Sequence, residues 1–155
     1  STPKPSSAAS DVYKRQRLIS EPKCLSRPLY GFENTEHTIN NEGPYAFYYH
    51  NKIYLAYSGG DARGYLYAIG MLTANDGDDL CDLSVWEKAK TPIASFATIP
   101  GEYGPGHNSF FWDRDQNLWI AYHAVTSFEE KIVSSGMRRV YFEQDKTPRF
   151  DVIVE

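Results

Sequence analysis

The chain contains an internal repeat with a period near 65 residues. Residues 53–57 (IYLAY) return as residues 118–122 (LWIAY), position by position in residue type. The segment before each copy recurs in step, residues 45–47 (YAF) against 110–112 (FFW), with polar turn residues between the two segments in both copies. Each copy therefore predicts a β-hairpin, and the repeat constrains the fold more than composition does.

Two further segments extend each copy to four short strands. The third covers residues 64–73 and 136–142, aligned by the Gly-Met pairs at 70–71 and 136–137, and the weaker fourth covers 86–93 and 149–154. The chain also has 12 Tyr, 8 Phe and 3 Trp, residue types that favour strands. We predict an all-β chain whose two units are consecutive blades of a β-propeller, each a four-stranded antiparallel sheet. A β-sandwich is the alternative, since it also uses short strands with frequent turns.

The segments ahead of the first unit also have predicted places. Residues 17–28 are predicted to be the outer strand of an earlier blade, and residues 29–41 the connection to the next one. Two blades cannot close a ring, so the chain is expected to be an arc of a larger propeller.

The first residues are not expected to belong to the natural protein. Residues 6–16, SSAASDVYKRQ, read as the translation of a transposase adapter used in shotgun DNA sequencing, in one frame. Such segments are excluded from fold reasoning. We therefore predict that residues 1–16 are an assembly artefact, that residues 17–155 are the C-terminal part of the domain, and that the true N-terminus is missing. No localisation follows from this sequence.

Composition excludes several classes of partner and site. No apolar run approaches the roughly 20 residues of a membrane-spanning helix. Sixteen Lys and Arg against twenty Asp and Glu give a net charge of -4, which does not suit nucleic acid. Cys24 and Cys81 have neither zinc-ligand nor CxxC spacing. We expect no membrane partner and no nucleic-acid partner.

Two titratable residues occupy equivalent positions in the repeat. The offset of 65 carries Glu42 onto His107, and each stands at the head of its unit's first strand. In a propeller that strand is the innermost, so both side chains are expected to face the central axis. A turn carboxylate before Gly43-Pro44 is the alternative interpretation of Glu42 taken alone.

These motifs resemble a known family. The segments are NEGP at residues 41–44, a hairpin ending at Tyr57-Ser58, GPGHNS at 104–109 and WIAYHA at 119–124. Together they resemble glycoside hydrolase family 43, five-bladed propellers that act on arabinose- and xylose-containing polysaccharides. The resemblance implies that Glu42 is the general acid of an inverting hydrolysis. It also implies that His107 lines the axial channel, where many members hold calcium or a similar ion.

The resemblance further implies that part of the active site lies outside this chain. The family's catalytic base is an aspartate of the first blade, and a second aspartate one blade before the acid orients it. One period before Glu42 falls ahead of residue 1, so both are expected to be missing and the chain alone inactive. The expected whole protein is an α-L-arabinofuranosidase or β-xylosidase acting on an oligosaccharide or polysaccharide, and a non-catalytic carbohydrate-binding propeller is the alternative.

Overall fold

The computed structural model describes residues 21–127, 129 and 132–150, and almost all of its regular structure is strand. Two 3-10 helical turns occur, at Gly31–Glu33 and Leu83–Val85. No helix in this part of the chain is long and apolar enough to cross a bilayer. The strands are β1 (Asn34–Thr35), β2 (Thr38–Ile39), β3 (Asn41–Tyr49), β4 (Lys52–Gly59), β5 (Ala68–Asn75), β6 (Glu87–Lys88), β7 (Tyr103–Trp112), β8 (Leu118–Val125), β9 (Val133–Arg139), β10 (Tyr141–Phe142) and β11 (Pro148–Arg149).

The two larger sheets have the same strand order as the sequence repeat. One is antiparallel β3-β4-β5-β6 and the other is antiparallel β7-β8-β9. Tyr57 faces Gly70 in the first sheet, and Tyr122 faces Gly136 in the second, so the repeat holds residue by residue. Each sheet is built from consecutive strands, whereas a sandwich mixes strands from distant parts of the chain by Greek-key connections. The chain is thus an all-β partial propeller, and β3 and β7 are the first strands of its two blades.

The described residues form three strands, β7-β8-β9, of the predicted second four-stranded sheet. The predicted third strand is interrupted at Val140, a buried residue whose N–H still bonds to Leu118 O. Beyond it, β10 and β11 form a separate two-stranded hairpin. Most of the predicted fourth strand, residues 151–154, lies outside the described residues.

The core lies between the two sheets, where buried side chains of both blades meet. In β8 the residues Leu118, Ile120, Tyr122 and Ala124 are buried, with less buried side chains between them. The ring of Phe47 in β3 stacks on that of Tyr54, with the ring centroids 4.8 Å apart, and packs against that of Phe110 in β7, with the ring centroids 4.5 Å apart. Aromatic pairs of this kind bury large apolar areas and hold the blades together.

The same buried hydrogen bond recurs in both blades. Tyr57 donates its hydroxyl to Glu33 Oε1 at 2.8 Å, and Tyr122 donates to Glu102 Oε2 at 2.6 Å. A cation completes each group, with Lys88 Nζ on Glu33 at 2.5 Å and Arg138 Nη2 on Glu102 at 2.7 Å. These groups tie the segment before each first strand to the middle of its own sheet.

The predicted outer strand over residues 17–28 is not formed in its described part, residues 21–28. A strand needs a partner edge, and this segment instead packs on the first blade. Ser26 Oγ accepts from Asn41 Nδ2 at 2.7 Å, and Arg27 O accepts from Lys88 Nζ at 2.7 Å. Residues 17–20 lie outside the described residues.

Candidate active site

Glu42 stands at the start of β3, where a bulge redirects its side chain. It pairs with Ser58 of β4, and the register then shifts before Tyr45. Gly43 adopts φ +55°, a left-handed conformation that glycine tolerates best. Bulges of this kind commonly re-aim a side chain beside a functional site. The Glu42 side chain is half-buried, and its Oε1 accepts a hydrogen bond from the Tyr67 hydroxyl at 2.8 Å.

Tyr67 precedes β5. It is fully buried, and its ring contacts residues of the second blade. The Tyr67 ring lies so close to Gly106 that a methyl group on that glycine would come within 2.0 Å of the ring. The ring also stacks on the His123 ring, with the two ring centroids 5.6 Å apart. Burial raises the pKa of Tyr67 above its ordinary value, and the hydrogen bond to Glu42 raises it further. Tyr67 is therefore a neutral donor to the carboxylate over the whole physiological pH range.

His107 lies inside β7, the second blade's first strand, which begins at Tyr103, and not at the head of that strand as predicted. It falls within the second of two register shifts in β7, between Gly106 and Ser109, and has φ +50°. Its backbone N–H donates to Ser58 Oγ at 2.7 Å, while its side chain is exposed. A methyl group on Gly43 would lie 3.6 Å from His107 Nδ1. The structure thus brings the neighbourhoods of Glu42 and His107 together at one end of the two blades.

Ser58 and His123 form a second repeat-related pair in the site, which sequence reasoning did not select. His123 is half-buried in β8. Its ring is nearly parallel to that of His107, and the two ring centroids are 6.3 Å apart. Burial lowers the pKa of His123, and the nearby His107 lowers it further. The sequence did carry a signal, since the offset of 65 that relates Glu42 to His107 also relates Ser58 to His123.

A calcium site is not assembled from the described residues alone. Among residues 21–127, 129 and 132–150, no three His, Cys, Asp or Glu side chains come together as ligands would. His107 offers one imidazole nitrogen, whereas calcium takes six to eight oxygen ligands. The calcium hypothesis therefore stays a prediction, and no step of the chemistry is routed through a metal.

Two other sequence features prove to be structural. Asp113, at the end of the second hairpin's first strand, accepts from the backbone N–H groups of Asp115 and Asn117. Its bonds to the Trp119 indole and the Asn117 amide lower the pKa of Asp113 to about 2. These residues form a turn. Among the aromatic residues of the first hairpin, Phe47, Tyr54 and Tyr57 are core residues, whereas Tyr45 and Tyr48 are exposed.

Comparison with known proteins identifies the family. Residues 12–148 match the model of Glycosyl hydrolases family 43. The chain belongs to glycosyl hydrolase family 43. The match confirms the family expected from the NEGP and GPGHNS motifs. It begins inside the adapter-like segment and outside the described residues, so the origin of residues 1–16 stays a prediction.

Curated relatives of this family 43 chain are arabinofuranosidases. It is 30% identical over 145 residues to an extracellular exo-α-(1→5)-L-arabinofuranosidase of Streptomyces avermitilis, covering 88% of this chain and 30% of that protein. It is 38% identical over 101 residues to the enzyme of the same name from Streptomyces chartreusis, covering 64% of this chain and 30% of that protein. The chain thus spans about 30% of the length of these relatives.

Solved structures agree with the family 43 fold. An α-L-arabinofuranosidase from Lactobacillus brevis superposes with a TM-score of 0.75 at 29% identity, covering 86% of this chain and 43% of that one. An endo-1,4-β-xylanase from Bacteroides thetaiotaomicron, at 21% identity, shares the fold with a TM-score of 0.66 and covers 83% of this chain and 43% of that one. The two blades therefore correspond to less than half of a family 43 structure.

Proposed function

We propose that this chain supplies the general acid, Glu42, and one wall of the substrate channel of an inverting glycosidase. The proposed substrates are arabinose- and xylose-containing polysaccharides, with α-L-arabinofuranosides favoured by the names of the Streptomyces relatives. The observation that carries the proposal is the position of Glu42 at a bulge, where the side chain is half-buried and Oε1 accepts a hydrogen bond from the Tyr67 hydroxyl.

The reaction requires one carboxyl group that donates a proton and a second that accepts one. Glu42 would protonate the leaving glycosidic oxygen as the bond from that oxygen to the anomeric carbon breaks. A water molecule would attack the same carbon from the opposite face and lose its proton to the base, which the resemblance assigns to an aspartate of another blade.

The side chains around Glu42 fit a sugar-binding wall. His107 and His123 lie parallel beside the site, and their ring nitrogens can exchange hydrogen bonds with sugar hydroxyl groups. The exposed Tyr45 continues the same first strand with an aromatic face. Lining groups of this type orient a sugar, while the carboxyl groups perform the reaction.

The test uses the longer protein that the sequence predicts, containing residues 17–155 and the upstream blades. We expect Glu42→Gln to reduce kcat on natural oligosaccharides by about 10² or more, because their poor leaving groups need the acid. Aryl glycosides with good leaving groups should lose far less. The exposed Glu87 of β6 provides the matched control, Glu87→Gln, which should behave as wild type.

Full activity of Glu42→Gln on oligosaccharides would remove Glu42 from the mechanism. A wild-type protein that binds arabino-oligosaccharides and hydrolyses none would instead favour the non-catalytic carbohydrate-binding propeller.

A further inference from the structure

Two buried side chains of the first blade, Ser58 and Tyr67, form hydrogen bonds to the second blade and to the carboxylate of Glu42. The backbone N–H of His107 donates to Ser58 Oγ at 2.7 Å. The Tyr67 hydroxyl donates to Glu42 Oε1 at 2.8 Å. Ser58 and Tyr67 are both fully buried, so water does not compete for these bonds.

The direction of both bonds is fixed. A backbone N–H can only donate, so Ser58 Oγ accepts from His107. The Tyr67 hydroxyl has a single proton and donates it to Oε1 of Glu42.

We propose that Tyr67 is a positioning residue that holds Oε1 of Glu42 as a hydrogen-bond acceptor and leaves Oε2 as the oxygen that delivers the proton. This inference rests on the proposed function of Glu42 as general acid. As the glycosidic bond breaks, the proton leaves Oε2 for the departing oxygen. The carboxylate that remains then receives a stronger, charge-assisted bond from Tyr67. A bond that strengthens along the reaction accelerates it.

The surroundings of Tyr67 keep its hydroxyl in place. Its ring is packed against Gly106 on β7 and stacked on His123 of β8. Both contacts come from the second blade, whereas Glu42 belongs to the first. Tyr67 thus couples the packing of the two blades to the orientation of the acid.

The first experiment tests the hydrogen bond in this chain, without reference to activity. Tyrosine labelled with ¹³C at Cζ gives one resonance per ring, and Tyr67→Phe identifies that of Tyr67. We expect Glu42→Gln to move the Tyr67 resonance and leave that of Tyr122 unchanged. Glu102→Gln should do the reverse, because Tyr122 donates to Glu102 in the equivalent way. If the Tyr67 resonance does not move in Glu42→Gln, the proposal is wrong.

The second experiment tests the consequence in the longer protein. We expect Tyr67→Phe to lower kcat about tenfold on oligosaccharides. This loss is about ten times smaller than the least loss expected for Glu42→Gln, which removes the acid itself. KM should be unchanged, and kcat on aryl glycosides with good leaving groups should stay within about twofold, because these need little proton donation. Tyr122→Phe is the matched control, since it removes a buried tyrosine hydroxyl bonded to a glutamate away from the acid.

The outcomes separate this inference from the proposed function. If Glu42→Gln loses activity and Tyr67→Phe matches Tyr122→Phe on both substrates, the positioning role is wrong while the acid role stands. If Glu42→Gln is fully active on oligosaccharides, the proposed function itself fails.

Discussion

Tyr57 and Tyr122 occupy the same place in the two blades. Each faces a glycine across the ladder, Gly70 or Gly136, and each donates its hydroxyl to a buried or half-buried glutamate. The glycines leave the space that the tyrosine rings fill, since a methyl group on Gly70 would lie 2.3 Å from Tyr57 Cζ. Repetition of the whole arrangement shows that the sequence period corresponds to a structural unit.

Substitution of Gly70 should therefore destabilise the first blade. We expect Gly70→Ala to lower the free energy of unfolding by about 1–3 kcal/mol, the usual cost of overpacking a filled site. The midpoint of urea denaturation measures this. Gly31→Ala is the control, because a methyl group at Gly31 meets nothing within 4 Å. Equal midpoints for the two variants would contradict the packing role of Gly70.

Acid should weaken the first blade through Glu33. Burial by itself would raise the pKa of Glu33, but Lys88, the N–H groups of Tyr30 and Leu29 and the Tyr57 hydroxyl outweigh it, so the pKa is lowered from 4.5. A group with a depressed pKa in the folded state stabilises the fold above its unfolded value and loses that contribution as pH falls through the folded value.

Unfolding measured from pH 6 downward should reveal this dependence. We expect the stability of the wild type to fall below about pH 4.5, and that of Glu33→Gln to be lower at pH 6 and to change less with pH. Glu87→Gln, at an exposed position, should follow the wild type. Parallel pH profiles for wild type and Glu33→Gln would contradict the role of the Glu33 ion pair.

This chain by itself should hydrolyse neither aryl arabinofuranosides nor aryl xylosides. It spans about 30% of its curated relatives, and the family resemblance assigns the base that activates water to another blade. Acid and base catalysis each contribute roughly 10² to 10⁴ in rate. A spectrophotometric assay of the released aryl alcohol, with the longer protein as positive control, checks this expectation. Turnover by residues 1–155 alone would show that a second carboxyl group acts within the chain.

Calcium should bind this chain only weakly. His107 provides a single imidazole, and no cluster of three acidic, histidine or cysteine side chains exists among the residues that the structure describes. We expect a Kd no tighter than about 1 mM, the range of weak extracellular calcium sites, measured by calorimetric titration. In the longer protein, His107→Ala should weaken binding if His107 lines an occupied channel. Equal affinities would leave His107 with a packing role.

Periodic features of the structure were predictable from the sequence. The segments IYLAY and LWIAY form the second strands of the two blades, as the repeat predicts. Which face is buried was not predictable, because every residue of both segments is apolar: Tyr54 and Ala56 are buried in β4, whereas their counterparts Trp119 and Ala121 are only half-buried in β8. The same period placed Glu42 and His107 at equivalent strand starts; Glu42 lies near the start of β3, but β7 begins at Tyr103, ahead of His107.

The contact between Glu42 and Tyr67 was decided only by the tertiary structure. Tyr67 lies in an irregular segment before β5, and the repeat offset carries it to Ile132, so no pattern marks it. Its hydroxyl reaches Glu42 because the bulge after Glu42 turns the carboxylate, and because Gly106 and His123 of the other blade hold the ring. The sequence by itself determines which residues share a strand and a face, since that depends on local periodicity. Which side chains meet across blades depends on twist, bulges and packing, and these exist only once the blades are assembled.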